Sequence, residues 1–450
     1  MGNIIGRITK PASEAATHEW LQQHSALGEL LDYDFEGMAA KRLYEASDML
    51  WKYHDQLEEQ LYRTEKNLFS FEETVTLYDL TNTFFEGASQ GGKLSNYGRS
   101  KEKRTDAPLV TLGLVLDKSG FPRSSRIFPG NASEPGTLET MLKGLNANPK
   151  AIIIVDAGIA TEDNISWLKA KKYHYLVVSR KRNRQFDQDQ AVTVKEVAGQ
   201  EVSVQRVVNE ETDEIELYCY SKIREKKEQA MQNRVCERFE EQLQYLHDGL
   251  SIKGRAKKYG VIMERIGRIK QRFSRAAQHY QITVEQDKDS DKAISIKWIR
   301  QEKSGSQATH PGVYCLRTDL KDSDESTLWH TYTMLTDLEA VFRSLKSELG
   351  LRPIYHQKDK RISGHLFISL LSYHLIHTLR TQLKAKGIHN SWEQLRNLLH
   401  TRSRITVTMN NREGKTIHVR KSTQAEPSQQ KIYDALGISS QAGISQRTIF

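Results

Sequence analysis

Cysteine is nearly missing: Cys219, Cys236 and Cys315 are the only three in 450 residues, and none has a near neighbour. That excludes a disulfide framework and a paired-cysteine zinc site, and it suits a reducing cytoplasm. No apolar run approaches the roughly 18 residues that a membrane span needs, so no membrane partner is expected. The first residues, MGNIIGRITKPASE, lack the basic-then-apolar layout of a secretory signal. Internal repeats and low-complexity tracts are absent as well. What remains is an ordinary globular composition, 38% hydrophobic and 27% charged, long enough for two or three structural units. The formal charge of +9 favours polyanionic partners mildly. Basic residues gather at Arg180–Arg184, Lys253–Lys258 and Arg265–Arg275. Each cluster alone reads equally well as a solvated face.

Periodicity divides the chain. Leu43, Leu50 and Leu57 repeat every seven residues with Tyr53 and Leu61 in the same stripe, which predicts one amphipathic helix over Gly37–Lys66 within a helical region 1–70. Its mixed charges make it a poor reader of a DNA groove. From Val75 the texture is β-branched and aromatic (VTLYDLTNTFF), and PLVTLGLVLD with FPRSSRIF forms a hairpin around Lys118-Ser119-Gly120. A helix near Thr137–Leu145 and the buried strand AIIIVD follow, then a helix at Ile165–Lys171 and a strand at Tyr175–Ser179. Residues 71–184 thus read as the first part of an α/β core. Residues 185–302 break the rhythm with alternating, exposed-looking strands (VTVKEV, EVSVQRVV, EIELYCYS) and charged helices, and read as an inserted subdomain. The α/β pattern resumes over 303–390, and 391–450 is a tail.

Three carboxylates stand out. Asp79 lies within a strand, and Asp156 ends the apolar strand AIIIVD, where open α/β sheets place their sites. The plain alternative for Asp156 is a cap for the next helix. Taking Tyr332–Leu349 as one helix at about 100° per residue, Leu338, Phe342, Leu345 and Leu349 share the core face. Tyr332, Glu339, Arg343 and Lys346 form a stripe beside it, while Asp337 and Glu348 point to solvent. The plain alternative for Glu339 is an i,i+4 ion pair with Arg343. Three such carboxylates suit hard divalent cations, and two ions about 4 Å apart serve in-line phosphodiester displacement.

These segments resemble the DDE transposases of bacterial insertion sequences that carry a β-rich insertion before the last acid. Their signature is Y-x2-R-x3-E-x6-K, matched by Tyr332, Glu339 and Lys346, with Leu335 at the arginine position and Arg343 on the same stripe. LYDLTNTFFEG, VDAGIATEDN, SKEKRTDAPLVTLGLVLDKSGFP, FPGNASE and LRPIYHQKDKRISGHLF are also similar, in the family's order. The resemblance implies an α/β, RNase H-like (retroviral integrase-like) catalytic core with a large mixed β/α insertion and an N-terminal helical region. It implies Asp79, Asp156 and Glu339 as catalytic metal ligands for Mg²⁺, with Mn²⁺ able to substitute. It further implies double-stranded DNA, as transposon ends and target, for the substrate, and a homodimer in a synaptic complex. Tyr332 and Lys346 would contact phosphates, and the family carries more residues ahead of the segment that begins this chain. Arg343, and in the insertion Lys257, Lys258 and Arg268, are the further DNA-contact expectations.

Rival readings are weaker. Gly87–Lys93 nearly spells a P-loop, but Leu94 stands where a hydroxyl is required. His365, His374 and His377 lie along one apolar helix and read as core histidines, with no carboxylate or cysteine completing a metal set. Trp298 reads as a sheet-core tryptophan rather than a base-stacking one. The alternative function is a catalytically weak or domesticated DNA-binding relative, favoured by Leu335.

Overall fold

A computed structural model describes residues 1–69, 75–87, 92–101, 104–143, 150–180 and 184–449, those at 67–69, 75 and 337 by backbone only. Five helices open the chain: α1 (Gly2–Thr9), α2 (Glu14–Gln23), α3 (Leu27–Leu31), α4 (Lys41–Lys52) and α5 (His54–Phe69). The single helix expected over Gly37–Lys66 is therefore two. The break has a cause: the His54 ring stacks on Trp51 at 4.0 Å, and its Nδ1 donates to the Trp51 carbonyl at 2.8 Å, replacing the backbone donor that would continue the helix. Next come β1 (Val75–Phe84), β2 (Leu109–Leu116), β3 (Pro122–Pro129), α6 (Glu134–Lys143), β4 (Ile152–Val155), α7 (Glu162–Ala170) and β5 (His174–Val178). They are followed by β6 (Val192–Lys195), β7 (Val202–Asn209), β8 (Glu214–Ser221), α8 (Lys222–Gly249), α9 (Tyr259–Arg272), α10 (Ser274–Ala277), β9 (Tyr280–Gln286) and β10 (Ala293–Arg300). The remainder is β11 (Val313–Thr318), α11 (Glu325–Thr333), α12 (Leu335–Ser347), α13 (Asp359–Ala385), α14 (Trp392–Leu399), β12 (Arg404–Asn410), β13 (Thr416–Ser422), α15 (Pro427–Leu436) and β14 (Gln446–Ile449).

The chain forms two compact units, one of residues 1–153 with 334–450 and one of 154–333, the division falling inside β4. In the first, β1, β2 and β3 make an antiparallel meander with β4 entering beside β1. β2 is buried along its whole length, as a strand covered on both faces must be. Its turn to β3 is tied by Asp117, whose Oδ1 accepts from the amides of Ser119 and Phe121. α12 packs on β1, and the largely buried α13 packs against α1 and α4. An antiparallel meander, a helix and a strand returning beside β1 are the opening of an RNase H-like core, so the fold is mixed α/β as the sequence implies.

In the second unit the strands run β5-β11-β8-β7-β6. Here the sequence reading needs correction. EVSVQRVV and EIELYCYS look exposed because of their charges, yet β7 and β8 are largely buried and extend the sheet from β11. The charges are internal because they are paired. Glu214 meets Arg317 at 2.7 Å and Lys169 at 2.9 Å, and Glu216 accepts from Asn209 and Tyr218. The later part of the expected insertion has a core of its own, formed by Phe239, Leu243, Ile262, Ile266 and Ile296 of α8, α9 and β10. Trp298 is partly buried against that core, the sheet-core role expected for it.

Candidate active site

Asp79 sits mid-strand on β1 opposite Leu114, half-buried. Its Oδ1 accepts the Leu80 amide at 2.7 Å and faces the Lys101 ammonium at 3.5 Å. Lys101 also donates to the Leu80 carbonyl and lies 3.7 Å from Glu134 Oε1 at the start of α6. A cation of the protein's own therefore rests between two carboxylates beside β1. Those carboxylates are hard oxygen donors, the kind a divalent cation takes.

Asp156 follows β4 and folds back on its own turn, Oδ1 accepting from the amides of Gly158 at 2.8 Å and Ile159 at 3.2 Å. It does not cap α7. Thr161 does, accepting from the Asn164 amide. The turn is braced by Arg180, whose guanidinium donates to the carbonyls of Ala157 and Gly158. The start of α7 is held by Glu162, paired at 2.6 Å with the buried Arg317. Burial would lower the Arg317 pKa, but the hydrogen bonds it donates to Glu162 and Glu214 outweigh it and raise it.

Glu339 is exposed on α12 and makes no hydrogen bond or ion pair among the described residues, so the ladder with Arg343 does not form. Leu338, Val341, Phe342, Leu345 and Leu349 are buried, which fixes the core face as expected and leaves Glu339 beside it. Arg343 is exposed and Lys346 half-buried on the same helix. The expected single helix Tyr332–Leu349 is corrected: it breaks at Met334, leaving Tyr332 on α11, 6.0 Å from the Tyr314 ring. The Thr-Tyr-Thr run has low helix propensity, and the Thr333 hydroxyl donates to the His330 carbonyl at 2.7 Å, competing with the backbone ladder. Leu335 is the first residue of α12 and half-buried. The side chain of Asp337 lies outside the described residues, as do 88–91 of the glycine-rich segment and 181–183 of the first basic cluster.

In the later insertion, Ile262 and Ile266 turn α9 inward and leave Arg265, Arg268 and Arg272 on the exposed side. Lys258 is exposed and Lys257 half-buried in the preceding loop, whose backbone is tied to β10 through Ala293. Arg268 pairs with exposed Glu264 at 2.5 Å.

His365 and His374 of α13 are buried, as core histidines should be, and each has a carboxylate nearby. His374 pairs with Glu65 at 2.5 Å, and Glu14 lies 3.0 Å from His356 and 3.6 Å from His365. The trio Glu14, His356 and His365 has the makings of a metal set. Arg7 argues otherwise: its guanidinium is 3.1 Å from His365 Nδ1 and 3.7 Å from Glu14. A guanidinium only donates, so Nδ1 accepts from it and the cation's place is already filled. Burial lowers His365 to about 4. Burial alone would raise Glu14, but its contact with His356 and the nearness of His365 hold it well below the carboxylate range. The cluster is a buried ion-pair network.

Sequence reasoning missed Lys101, Glu134 and Arg180 as neighbours of the acids. Lys101 lies in the family-like run SKEKR, but nothing in its spacing ties it to Asp79. A family profile described as "Transposase DDE domain" matches residues 72–375, well over half of the chain, and Asp79, Asp156 and Glu339 fall inside it. No curated protein sequence matches the chain. A solved structure of Mos1 transposase in a paired-end complex with the left transposon end is similar at 14% identity and a TM-score of 0.17; the match covers 36% of this chain and 58% of that one.

Proposed function

The chain belongs to the transposase DDE domain family, and from that premise we propose that it is a metal-dependent DNA transposase whose ligands are Asp79, Asp156 and Glu339. The observation that carries the reading is Glu339, an exposed carboxylate with no hydrogen-bond or ion-pair partner among the described residues, on a helix packed against the Asp79 strand. Unpaired, it is available to a cation. The Lys101 ammonium beside Asp79 supports the same reading, since it occupies the surroundings a metal would have. Bound Mg²⁺ or Mn²⁺ would activate a water or 3′-hydroxyl and stabilise the departing oxygen.

The protein's own residues would do the rest. Arg180 and the Asp156 turn fix one ligand rigidly. The Leu338–Leu345 face sets the rotation of α12 and so the aim of Glu339. Arg343, Lys346 and Tyr332 would hold phosphates of double-stranded DNA, and a homodimer would pair transposon ends for cleavage and strand transfer. The test is nicking of supercoiled plasmid with Mg²⁺. Asp79→Asn, Asp156→Asn and Glu339→Gln should each abolish it while the fold survives, because a lost ligand changes little buried volume. Full nicking by Glu339→Gln would sink the assignment.

A further inference from the structure

A cavity of about 180 Å³ opens between the β2–β3 turn, α12 and α13, lined among others by Lys118, Ala340, Ser344, His377, Arg380 and Lys384. Three of these are cationic, and no carboxylate among the described residues lines it. The Arg380 Nε is buried without a hydrogen-bond partner, and neither Arg380 nor Lys384 joins an ion pair among the described residues. An orphaned, charged donor is costly and calls for an acceptor. In the adjoining turn the Asp117 Oδ1 accepts from the Ser119 and Phe121 amides, and at the end of α12 Glu348 accepts from Ser344 and the Glu393 amide.

The walls are fixed. His377 Nε2 lies 2.8 Å from the Ser119 carbonyl, which can only accept, so Nε2 carries the proton. Nδ1 then accepts from the Tyr373 hydroxyl at 3.2 Å. Burial lowers His377 to about 4, so this neutral tautomer persists at physiological pH and ties the Lys118 turn to α13. At this volume the cavity is below the roughly 300 Å³ where small-molecule sites begin. It suits a single tetrahedral group.

We propose that Lys118, Arg380 and Lys384 form a binding site for a phosphate group, and that the group is a backbone phosphate of the DNA. The DNA assignment rests on the function proposed above. It is favoured by position: Ala340 and Ser344 line the cavity from α12, next to Glu339 and Arg343 on the adjoining stripe. A strand presented to Glu339 passes the cavity mouth.

The test uses the full chain, Arg380→Gln and Lys384→Glu. Lys384 is exposed, so its variant should keep the wild-type melting temperature. Inorganic phosphate should raise that temperature in wild type and not in Arg380→Gln. In binding to random-sequence duplex, each variant should lose about 0.9 from the slope of log K against log salt, the loss of one phosphate contact. Variants that keep both the wild-type slope and the phosphate response would overturn the site. A lost phosphate response with an unchanged slope would overturn the DNA assignment and mark a free-phosphate site. Wild type that responds to phosphate through Arg380 but binds no duplex would support the site and count against the transposase reading instead.

Discussion

The Lys101 ammonium lies 3.5 Å from Asp79 and 3.7 Å from Glu134, so the first acid of the proposed site is compensated by a charge from its own chain. A divalent cation bound at Asp79 would have to displace it. We expect Lys101→Met to bind Mn²⁺ more tightly than wild type, because the competitor is gone. Lys101 is 37% exposed, so the pair is worth at most about 1 kcal/mol and the gain about two- to fivefold. Calorimetric titration with Mn²⁺ reads it, with Asp79→Asn as the control that should lose the ion in either background. Weaker binding by Lys101→Met would make Lys101 an ally of the metal.

Glu348 is the second case where contacts change an expectation. Its place on the far stripe of α12 suggests a silent solvent residue. It is instead half-buried, accepting from the Ser344 hydroxyl and from the Glu393 amide at 3.3 Å, so it ties α12 to α14. Glu348→Gln should cost about 1 kcal/mol of stability and leave nicking intact. A lower melting temperature with unchanged cleavage is the expected pair of results, and loss of cleavage without loss of stability would speak for a functional role.

These two residues show what the sequence could and could not disclose. The strand ending in Asp156 and the core face of α12 were legible because apolar periodicity encodes burial directly. β7 and β8 were misread because a buried glutamate looks like an exposed one until its partner is known, and Arg317 is 103 residues from Glu214 in the chain. Lys101 was invisible for the same reason, its link to Asp79 being a matter of tertiary geometry. The breaks at Tyr53 and Met334 turn on single side-chain hydrogen bonds to backbone carbonyls, which heptad spacing does not register.

Burial pushes Glu58 up to about 7, outweighing hydrogen bonds from Ser125 and the charges of Arg126 and His374. The folded chain therefore holds this proton more tightly than the unfolded one, whose value is near 4.5. The stability so contributed is complete below about 4.5 and is lost as pH rises through about 7. Asp117, raised to about 6 by burial, acts in the same direction. His365 and His377, lowered to about 4, act oppositely as the pH falls below 6.5. Glu58→Gln keeps a partner for Ser125 without the titration. Its melting temperature should fall less than that of wild type between about pH 5 and 8, and parallel curves would show that Glu58 titrates normally.

The last expectation concerns the later insertion, where α9 turns isoleucines inward and presents Arg265, Arg268 and Arg272 outward. If this face holds DNA by its phosphates, each lost contact should lower the salt slope by about 0.9 and weaken all sequences alike. The positions should not be equal. Arg268 already pairs with Glu264 at 2.5 Å, so DNA must compete with a carboxylate for it. Lys258 is exposed in the preceding loop with no ion pair among the described residues. Lys257→Glu with Lys258→Glu should therefore reduce the slope more than Arg268→Glu does, and Glu264→Gln should raise affinity by freeing Arg268. Filter binding to random duplex across a salt series measures all three. Slopes unchanged in the lysine double variant would assign this face to solvent.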